Sequence, residues 1–227
     1  MNHKTNEPAN QVETHFSKTY KTFDSFYDEK KGVLARLIDR LFRRSMQLRF
    51  EKVMAGVAPY PNKTVLDVGC GAGRYAVALA RQGIATVLGI DFAENMILEA
   101  RQLARQYQVD HIASFARADF MQLAVAEPFH HVYAMGVMDY VADPVPFMEK
   151  MIRSATSSVM ISFPSAGGFI QWCRKHYFFR IKKCPVYFYS RFFIEQLACQ
   201  AGANHVTVHK LAKDYFLEIH KDILDTR

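Results

Sequence analysis

The segment that most constrains the fold is residues 63–96, KTVLDVGCGAGRYAVALARQGIATVLGIDFAENM. An apolar, β-branched run ends near Asp67, a helical stretch follows, and a second apolar run ends at Asp91. Glycine adopts backbone conformations that are closed to other residues, so a glycine-rich loop can turn tightly and approach a ligand closely. The segment therefore predicts a strand, loop, helix and strand with a ligand site at the strand ends. The loop carries three alternating glycines, which are Gly69, Gly71 and Gly73.

The two acids indicate which nucleotide-type cofactor fits this loop. A phosphate-binding loop presents helix N-terminal amides to an anion, and a carboxylate at Asp67, two residues before the first glycine, would repel that anion. A cofactor with a cationic amino group and a sulfonium would instead be attracted. Asp91 stands where it can accept hydrogen bonds from two ribose hydroxyls. S-adenosylmethionine has these groups and no phosphate, so the residues predict it as the cofactor.

These motifs resemble those of the class I S-adenosylmethionine-dependent methyltransferases. VLDVGCGAGR is similar to the glycine-rich motif of that family, GIDFAENM is similar to its acidic ribose motif, and the resemblance spans roughly residues 23–215. Several motifs in the right order are more specific than a lone glycine motif, and GCGAGR lacks the glycine spacing of dinucleotide-binding proteins. The resemblance implies a methyltransferase with a Rossmann-like, doubly wound α/β fold. Its mostly parallel seven-stranded sheet would have helices on both faces and a C-terminal antiparallel hairpin.

The resemblance also implies roles for individual residues. Asp67 and the glycine loop would hold the methionine part of the cofactor, Asp91 the ribose, and Phe92 and Met96 the adenine faces. An acid near the adenine amino group would be Asp119, although an isolated acid after a strand more often caps a helix. The segment MGVMDY after the fourth strand would run beside the cofactor. The complete cofactor-binding set is Asp67, Gly69, Cys70, Gly71, Gly73, Asp91, Phe92, Met96, Asp119, Phe120, Met135 and Gly136.

Strands and helices alternate along the rest of the chain, which favours a mostly parallel sheet with its ligand site at one edge. We expect a polar tail and helical appendage or lid over residues 1–56, and a cofactor-binding domain over residues 57–227 with an insertion at about 166–189. Ser190 has the character of a helix N-cap. The predicted strands are 64–68, 86–90, 112–116, 129–134, 159–163, 205–211 and 214–220. The predicted helices are one from about 74, 94–107, a short one after Phe120, 145–153 and 191–200.

The composition of the chain indicates the cellular compartment in which we expect the protein. The 227 residues are enough for one α/β domain, and the four cysteines form no C-x-x-C pair, which suits a reducing cytosol without disulfides. The adjacent His130 and His131 would point to opposite faces of a strand, so no metal is predicted. No apolar run approaches the about 20 residues that span a bilayer, and the start does not resemble a signal peptide. A cytoplasmic protein, soluble or peripheral to a membrane, is expected.

Two basic stretches leave alternatives open within the formal charge of +7. In residues 34–48, arginines and leucines fall on different sides of a predicted helix. We favour packing of the apolar side on the domain over contact with an anionic membrane surface. Residues 171–191 interleave basic and aromatic side chains without an acid, which suits either nucleic-acid binding or a lid over an amphipathic or anionic small substrate.

The chemistry needs little from the protein beyond alignment. Methyl transfer from a sulfonium is an in-line displacement with a neutral leaving group, and orientation contributes roughly 7–11 kcal/mol, against roughly 10²- to 10⁴-fold in rate from a general base. If the acceptor is a phenol or an alcohol, the candidate proton acceptors are His176, Tyr140 and Asp139. The candidate substrate-binding residues are Tyr20, Tyr27, Arg174 and Tyr189.

The absence of two motifs limits the classes of methyl acceptor that this sequence predicts. MGVMDY does not resemble the Asn/Asp-Pro-Pro-aromatic segment of enzymes that methylate amino groups of nucleic-acid bases. Methylation of cytosine carbon in RNA uses a cysteine in a Pro-Cys pair, whereas Cys184 precedes Pro185 here. We therefore predict a small-molecule or lipid-like acceptor, methylated at oxygen. An RNA-directed methyltransferase and a non-catalytic protein that binds S-adenosylmethionine are the alternatives. The oligomeric state is not predicted.

Overall fold

The computed structural model describes residues 33–57, 61–166 and 186–221, and the side chains of the first helix from residue 44 onward. The helices are α1 Val33–Val57, α2 Arg74–Arg81, α3 Glu94–Gln106, α4 Pro144–Arg153 and α5 Arg191–Gln200. The strands are β1 Thr64–Val68, β2 Thr86–Asp91, β3 Ala113–Arg117, β4 Phe129–Ala134, β5 Ala155–Pro164, β6 His205–Leu211 and β7 Asp214–His220.

The described strands form one seven-stranded sheet in the order β3-β2-β1-β4-β5-β7-β6. The first five strands run parallel, and β7 pairs antiparallel with both β5 and β6. The predicted α/β fold class is confirmed, including the C-terminal hairpin. The chain winds outward from β1 in one direction and from β4 in the other. Ligands of such sheets bind outside the carboxyl ends of the strands at this switch point, which here lies between β1 and β4.

Alternating side chains along the strands build one apolar core on each face of the sheet. Val65 of β1, Tyr133 of β4 and Met160 of β5 lie on the face that α1, α2 and α3 cover. The intervening side chains, such as Leu66 and Val132, lie on the face that α4 and α5 cover. Asp67 follows Val65 by two residues and so points to the α1–α3 face.

The C-terminal half of α1 packs on the sheet as part of this core. Val53, Met54 and Val57 are buried there, whereas Arg44 is exposed. The predicted division at residue 56 falls one residue before α1 ends. Arg36, Arg40 and Arg43 have side chains outside the described set. None of the helices in the described ranges is long and apolar enough to cross a membrane.

Two predicted elements need correction. The short helix expected after Phe120 is a hydrogen-bonded turn, in which the Asp119 carboxylate accepts from the Met121 amide at 2.9 Å and from the Gln122 side chain at 3.0 Å. This side-chain capping closes one turn, and the backbone bonds stop at Leu123. Strand β5 begins at Ala155 rather than at residue 159, because Ala155 pairs with Phe129 and Ser158 with His131 of β4. Ser190 caps α5 as predicted, accepting from the Phe193 amide at 3.2 Å.

Candidate functional site

The glycine loop lies across the carboxyl end of β2. The amides of Gly69 and Cys70 both donate to the carbonyl of Ile90, at 2.8 and 2.9 Å. The Gly71 amide donates to Oδ2 of Asp91 at 3.0 Å. All three loop glycines have positive φ, at 71° for Gly69, 51° for Gly71 and 75° for Gly73, a region that favours glycine. The predicted loop and the second acid are therefore brought together.

Asp91 is held in a fixed orientation and can accept further hydrogen bonds. Its Oδ1 accepts from the Ala93 amide at 2.9 Å, so each carboxylate oxygen has one backbone donor. Each oxygen can accept a second hydrogen bond. Burial raises the pKa of Asp91, while the backbone donors of Ala93, Gly71 and Phe92 lower it in part. A half-buried carboxylate that backbone amides hold in place, with acceptor capacity remaining, fits the hydroxyls of a ribose.

Asp67 is a buried acid that lacks a partner for one oxygen. The residue is 2% exposed, and Oδ2 accepts no hydrogen bond. Burial raises the pKa of Asp67 to about 8; the nearby Tyr133 hydroxyl lowers it, and the charge on Asp91 raises it. Burial also raises the pKa of the Cys70 thiol in the same loop, together with the charges of Asp67 and Asp91. Cys70 is therefore an inert thiol, since a nucleophilic cysteine needs a lowered pKa.

The three loop glycines meet different surroundings. A Cβ on Gly69 would lie 2.4 Å from Cγ2 of Val137, in the segment after β4. A Cβ on Gly73 would lie 2.8 Å from Ala100 and from Phe115, so Gly73 is required by core packing. A Cβ on Gly71 would meet nothing within 4 Å. Open space therefore lies in front of Gly71, next to the Asp91 carboxylate.

This arrangement fits the head of S-adenosylmethionine. The unpartnered Oδ2 of Asp67 suits a cationic group, the free lone pairs of Asp91 suit ribose hydroxyls, and the space before Gly71 leaves the backbone accessible. An anionic diphosphate would face two carboxylates, which is unfavourable.

The predicted adenine residues have contrasting positions. Asp119 is exposed and its carboxylate is engaged by its own turn. Phe120 is 5% exposed and packs edge-on against Phe147 at 5.1 Å. Phe92 and Met96 are half-buried at the start of α3. The adenine roles of these residues stay predictions, and the position of Phe120 is that of a core side chain.

The segment after β4 carries the predicted Met135, Gly136, Asp139 and Tyr140. Met135, Gly136 and Tyr140 are half-buried, and Asp139 is 8% exposed. The Gly136 amide donates to Oγ of Ser162 at 2.8 Å, which fixes the start of the segment on β5. The catalytic roles of Asp139 and Tyr140 stay predictions.

Tyr189 is more buried than we expect for a residue that contacts a substrate. It is 3% exposed, and its hydroxyl donates to the Met138 carbonyl at 3.2 Å. Burial raises its pKa, as do the charges of Asp139 and Tyr187. Tyr189 thus holds the segment after β4 against α5, and its substrate role stays a prediction. The other predicted catalytic and substrate residues, His176, Tyr20, Tyr27 and Arg174, lie outside the described residues.

The paired histidines have separate structural partners. Nδ1 of His130 lies 3.1 Å from the Thr64 amide, and Nδ1 of His131 lies 2.8 Å from Oγ of Ser158. Burial lowers the pKa of His131 to about 4, which keeps the ring neutral. Within residues 61–166 and the other described ranges, no group of three or more His, Cys, Asp or Glu side chains is arranged to hold a metal.

A buried ionic network at the same edge was not predicted. Nη2 of Arg49 on α1 lies 2.9 Å from Oδ2 of Asp214 on β7, with the two side chains 13% and 4% exposed. Nη1 of Arg49 donates to Ser162 Oγ at 3.3 Å, and the Ser45 hydroxyl donates to Asp214. This network joins α1, β5 and β7 to the segment after β4. The sequence feature that could have indicated this network is a lone arginine at an otherwise apolar position of the helix.

Two further polar side chains were missed. The hydroxyl of Tyr133 in β4 is buried without a hydrogen-bond partner, beside Asp67. Both polar atoms of the Asn95 carboxamide, in the first turn of α3, are also buried without partners. The sequence offers a signal for Tyr133, because a tyrosine in a buried strand needs a partner for its hydroxyl.

Comparison with known proteins identifies the family. Residues 60–174 match the model of a methyltransferase domain family, which is half of the 227-residue chain. A ubiquinone biosynthesis O-methyltransferase from Caulobacter vibrioides is 36% identical over 106 residues, covering 47% of this chain and 42% of that protein. A tRNA U34 carboxymethyltransferase from Shewanella loihica is 30% identical over 97 residues, covering 43% of this chain and 29% of that protein. The chain thus matches less than half the length of these relatives.

A solved structure shares the whole fold. Magnesium protoporphyrin IX methyltransferase from Synechocystis PCC 6803, with bound S-adenosylhomocysteine, superposes with a TM-score of 0.72 at 19% identity. The superposition covers 95% of this chain and 100% of that one. The chain therefore belongs to the methyltransferase domain family, which confirms the predicted resemblance to methyltransferases, and it shares the fold of a neighbour solved with bound S-adenosylhomocysteine.

Proposed function

We propose that this chain transfers the methyl group of S-adenosylmethionine to an oxygen atom of a small-molecule or lipid-like acceptor. The observation that carries the proposal is the pair of acids at the ends of β1 and β2, next to the switch point. Asp67 is buried with Oδ2 unpartnered, and Asp91 is oriented by two backbone amides with lone pairs to spare. Asp67 would face the cationic head of the cofactor, and Asp91 would accept from its ribose hydroxyls.

The bound cofactor supplies a methyl group on a sulfonium with a neutral leaving group. The chain then has to orient that group, exclude water and present the acceptor in line, and orientation is worth roughly 7–11 kcal/mol. The segment after β4 is suited to this task, because Ser162 and Tyr189 fix it at both ends. Asp139 and Tyr140 lie in it and are our candidates for receiving the proton of a phenol or an alcohol.

The acceptor class is supported by similarity rather than by the site itself. The relative from Caulobacter vibrioides acts in ubiquinone biosynthesis as an O-methyltransferase by its name, and the Synechocystis neighbour is named for a tetrapyrrole. Both names denote methylation of small molecules. A ring-bearing acceptor methylated at oxygen is therefore the class we test first.

Titration calorimetry with S-adenosylmethionine tests the cofactor site directly. The natural protein should bind in the micromolar range typical of enzyme ligands, and Asp91→Asn should bind at least tenfold more weakly because the ribose loses a charged acceptor. Asp110→Asn, an exposed acid after α3, is the matched control and should bind like the natural protein. Absence of binding by the natural protein would remove the basis of the proposal.

Transfer of a labelled methyl group separates the remaining functions. We expect label in small aromatic alcohols or in a lipid fraction of a cell extract. Label in RNA, with retention of RNA that falls steeply as salt rises, would favour the RNA-directed alternative, for which the tRNA-modifying relative is the supporting similarity. Cofactor binding without label in any fraction would favour a non-catalytic protein.

Peripheral contact with an anionic membrane is a separate proposal for α1. Flotation with liposomes that contain anionic lipid should fall after Arg40→Glu with Arg43→Glu, since each basic residue near such a surface contributes about 1 kcal/mol. Arg153→Glu, which changes an exposed arginine at the end of α4, is the control. Equal flotation of the two variants would reject α1 as the membrane contact.

A further inference from the structure

Asp67 and Tyr133 form a buried pair that the register of the sheet creates. β1 and β4 are parallel, and Asp67 is the register partner of Tyr133. Register partners on adjacent strands point to the same face, so the carboxylate and the ring are neighbours about 5 Å apart at their backbones. On the other side, the register partner of Asp67 is Gly89, which has no side chain. Tyr133 is therefore the strand neighbour that can offer a polar group to Asp67.

Both members of the pair have unused hydrogen-bonding capacity. Tyr133 is 0% exposed and its hydroxyl has no partner. Asp67 Oδ2 is equally buried and has no partner. Buried hydroxyls and carboxylates are nearly always satisfied in folded proteins, and an exception calls for an explanation. The two groups lie side by side without a hydrogen bond of normal geometry between them, so a small side-chain movement can pair them and still leave acceptor capacity on the carboxylate for a ligand.

The surroundings offer no cation to Asp67 within the described residues. The groups that face the pair are Asp91, the Cys70 thiol and Tyr75, and each raises the pKa of a neighbour in this cluster or has its own pKa raised. Burial raises the pKa of Tyr75 to about 12, while Arg49 lowers it in part and the charges of Asp67 and Asp214 raise it further. A ligand with a positive charge would supply what the protein lacks here.

We propose that Tyr133 is a positioning residue for the amino group of the cofactor, with its hydroxyl donating to Asp67 and favouring the ionised, oriented carboxylate that the incoming ammonium pairs with. This inference rests on the proposed function, because it takes S-adenosylmethionine as the ligand. It adds a residue from β4 to a site otherwise built from β1, β2 and their loops. The direction of the effect is consistent with the structure, since the Tyr133 hydroxyl lowers the pKa of Asp67 against the larger effect of burial.

The first test follows Asp67 itself in the absence of cofactor. Carboxyl ¹³C resonances titrated by NMR should show Asp67 changing state near pH 8 in the natural protein. Tyr133→Phe should move that midpoint upward by about one pH unit, because a hydrogen bond to a charged group is removed. Tyr75→Phe is the matched control, since Tyr75 lies 5.9 Å from Tyr133 between ring centroids but does not donate to Asp67. An unmoved midpoint in Tyr133→Phe would overturn the proposal.

The second test measures ligand affinity. S-adenosylhomocysteine carries the same amino group and cannot be turned over, so its dissociation constant can be compared between Tyr133→Phe and the natural protein from pH 6.5 to 10. The ratio of the two constants cancels the titration of the ligand's own amine. We expect the variant to bind about tenfold more weakly at pH 7, with the ratio approaching one as the pH rises above the shifted midpoint.

The outcomes separate this inference from the proposed function. A ratio that is constant across pH would mean that Tyr133 only supports the structure, and the positioning role would be wrong. Failure of the natural protein to bind S-adenosylhomocysteine at any pH would reject the proposed function, while the NMR midpoint would still report whether Tyr133 controls Asp67. A fall in the melting temperature alone does not change either midpoint.

Discussion

Asp67 shows how one residue can oppose stability for the sake of a ligand. An acid that is 2% exposed beside a second acid has its pKa raised to about 8. The folded protein therefore binds more protons than the unfolded chain, where the pKa is 3.8, and stability is lost as the pH rises between these values. A ligand ammonium would reverse the effect by neutralising the carboxylate in place.

The variant Asp67→Asn should remove this loss, because the amide stays neutral at every pH. Its melting temperature should exceed that of the natural protein by an amount that grows as the pH goes from 5 to 8. The difference in unfolding free energy should grow by roughly 1 kcal/mol for each pH unit, and each kcal/mol corresponds to about 2–4 °C. Differential scanning fluorimetry without cofactor measures the gap, with Asp110→Asn as control. A gap that narrows with rising pH would show that Asp67 is ionised in the folded protein at low pH.

Substitutions of two loop glycines should distinguish an effect on packing from an effect on cofactor binding, again at the scale of single residues. Gly69→Ala should destabilise the protein by about 1–3 kcal/mol, because its Cβ would lie 2.4 Å from Val137 in a left-handed backbone conformation. Gly71→Ala carries the conformational cost but meets no neighbour, so its main effect should be weaker cofactor binding. Urea unfolding and calorimetry on both variants compare the two effects. Equal losses of stability would contradict the assignment of open space before Gly71.

At the scale of elements, Arg49 ties α1 to the cofactor edge. The guanidinium pairs with Asp214 of β7 and with Ser162 of β5, which in turn holds the Gly136 amide. Nε of Arg49 is buried without a partner, so the arrangement is not optimised for stability alone. The position of the segment after β4 therefore depends on a helix that precedes the sheet in sequence.

Arg49→Met should cost about 3–5 kcal/mol of unfolding free energy, because it removes the guanidinium 2.9 Å from the buried Asp214 and leaves that carboxylate with the longer Lys213 pair at 3.9 Å. Arg153→Met is the control, since the Arg153–Glu149 pair at 3.7 Å is on the surface with side chains 70% and 40% exposed, and such pairs contribute about 0–1 kcal/mol. Urea denaturation of both variants, of Asp214→Asn and of the double variant Arg49→Met with Asp214→Asn measures the coupling between Arg49 and Asp214. Similar losses for Arg49→Met and Arg153→Met would contradict a structural role for the buried pair.

At the scale of elements, the features that the sequence predicted correctly depend on residues that are close together along the chain. The strand order, the loop glycines and the Ser190 cap follow from neighbouring residues and agree with the structure, as does the helix order apart from the short helix expected after Phe120. The Asp67–Tyr133 and Arg49–Asp214 pairs join distant segments and depend on strand register and helix docking, which periodicity does not encode. The packing of Phe120 against Phe147 is likewise a long-range contact that the motif does not encode, and the adenine role of Phe120 stays a prediction.

For the whole molecule, the sheet order places Asp67 at the end of β1 and Asp91 at the end of the neighbouring β2, on the same edge as the switch point between β1 and β4. A ligand bound there to the native state alone stabilises the entire domain by mass action, about 2.7 kcal/mol at 100 times its dissociation constant. S-adenosylhomocysteine should then raise the melting temperature by roughly 5–11 °C. Scanning fluorimetry with adenosine diphosphate in parallel checks specificity, and a larger shift with the diphosphate would contradict the charge argument.

A crystal structure with S-adenosylhomocysteine tests the central claim most directly. We predict both ribose hydroxyls within hydrogen-bond distance of the Asp91 carboxylate, and the amino group of the ligand directed toward Asp67 and Tyr133. A ligand seated elsewhere, or a ribose turned away from Asp91, would contradict the account of how this chain holds its cofactor.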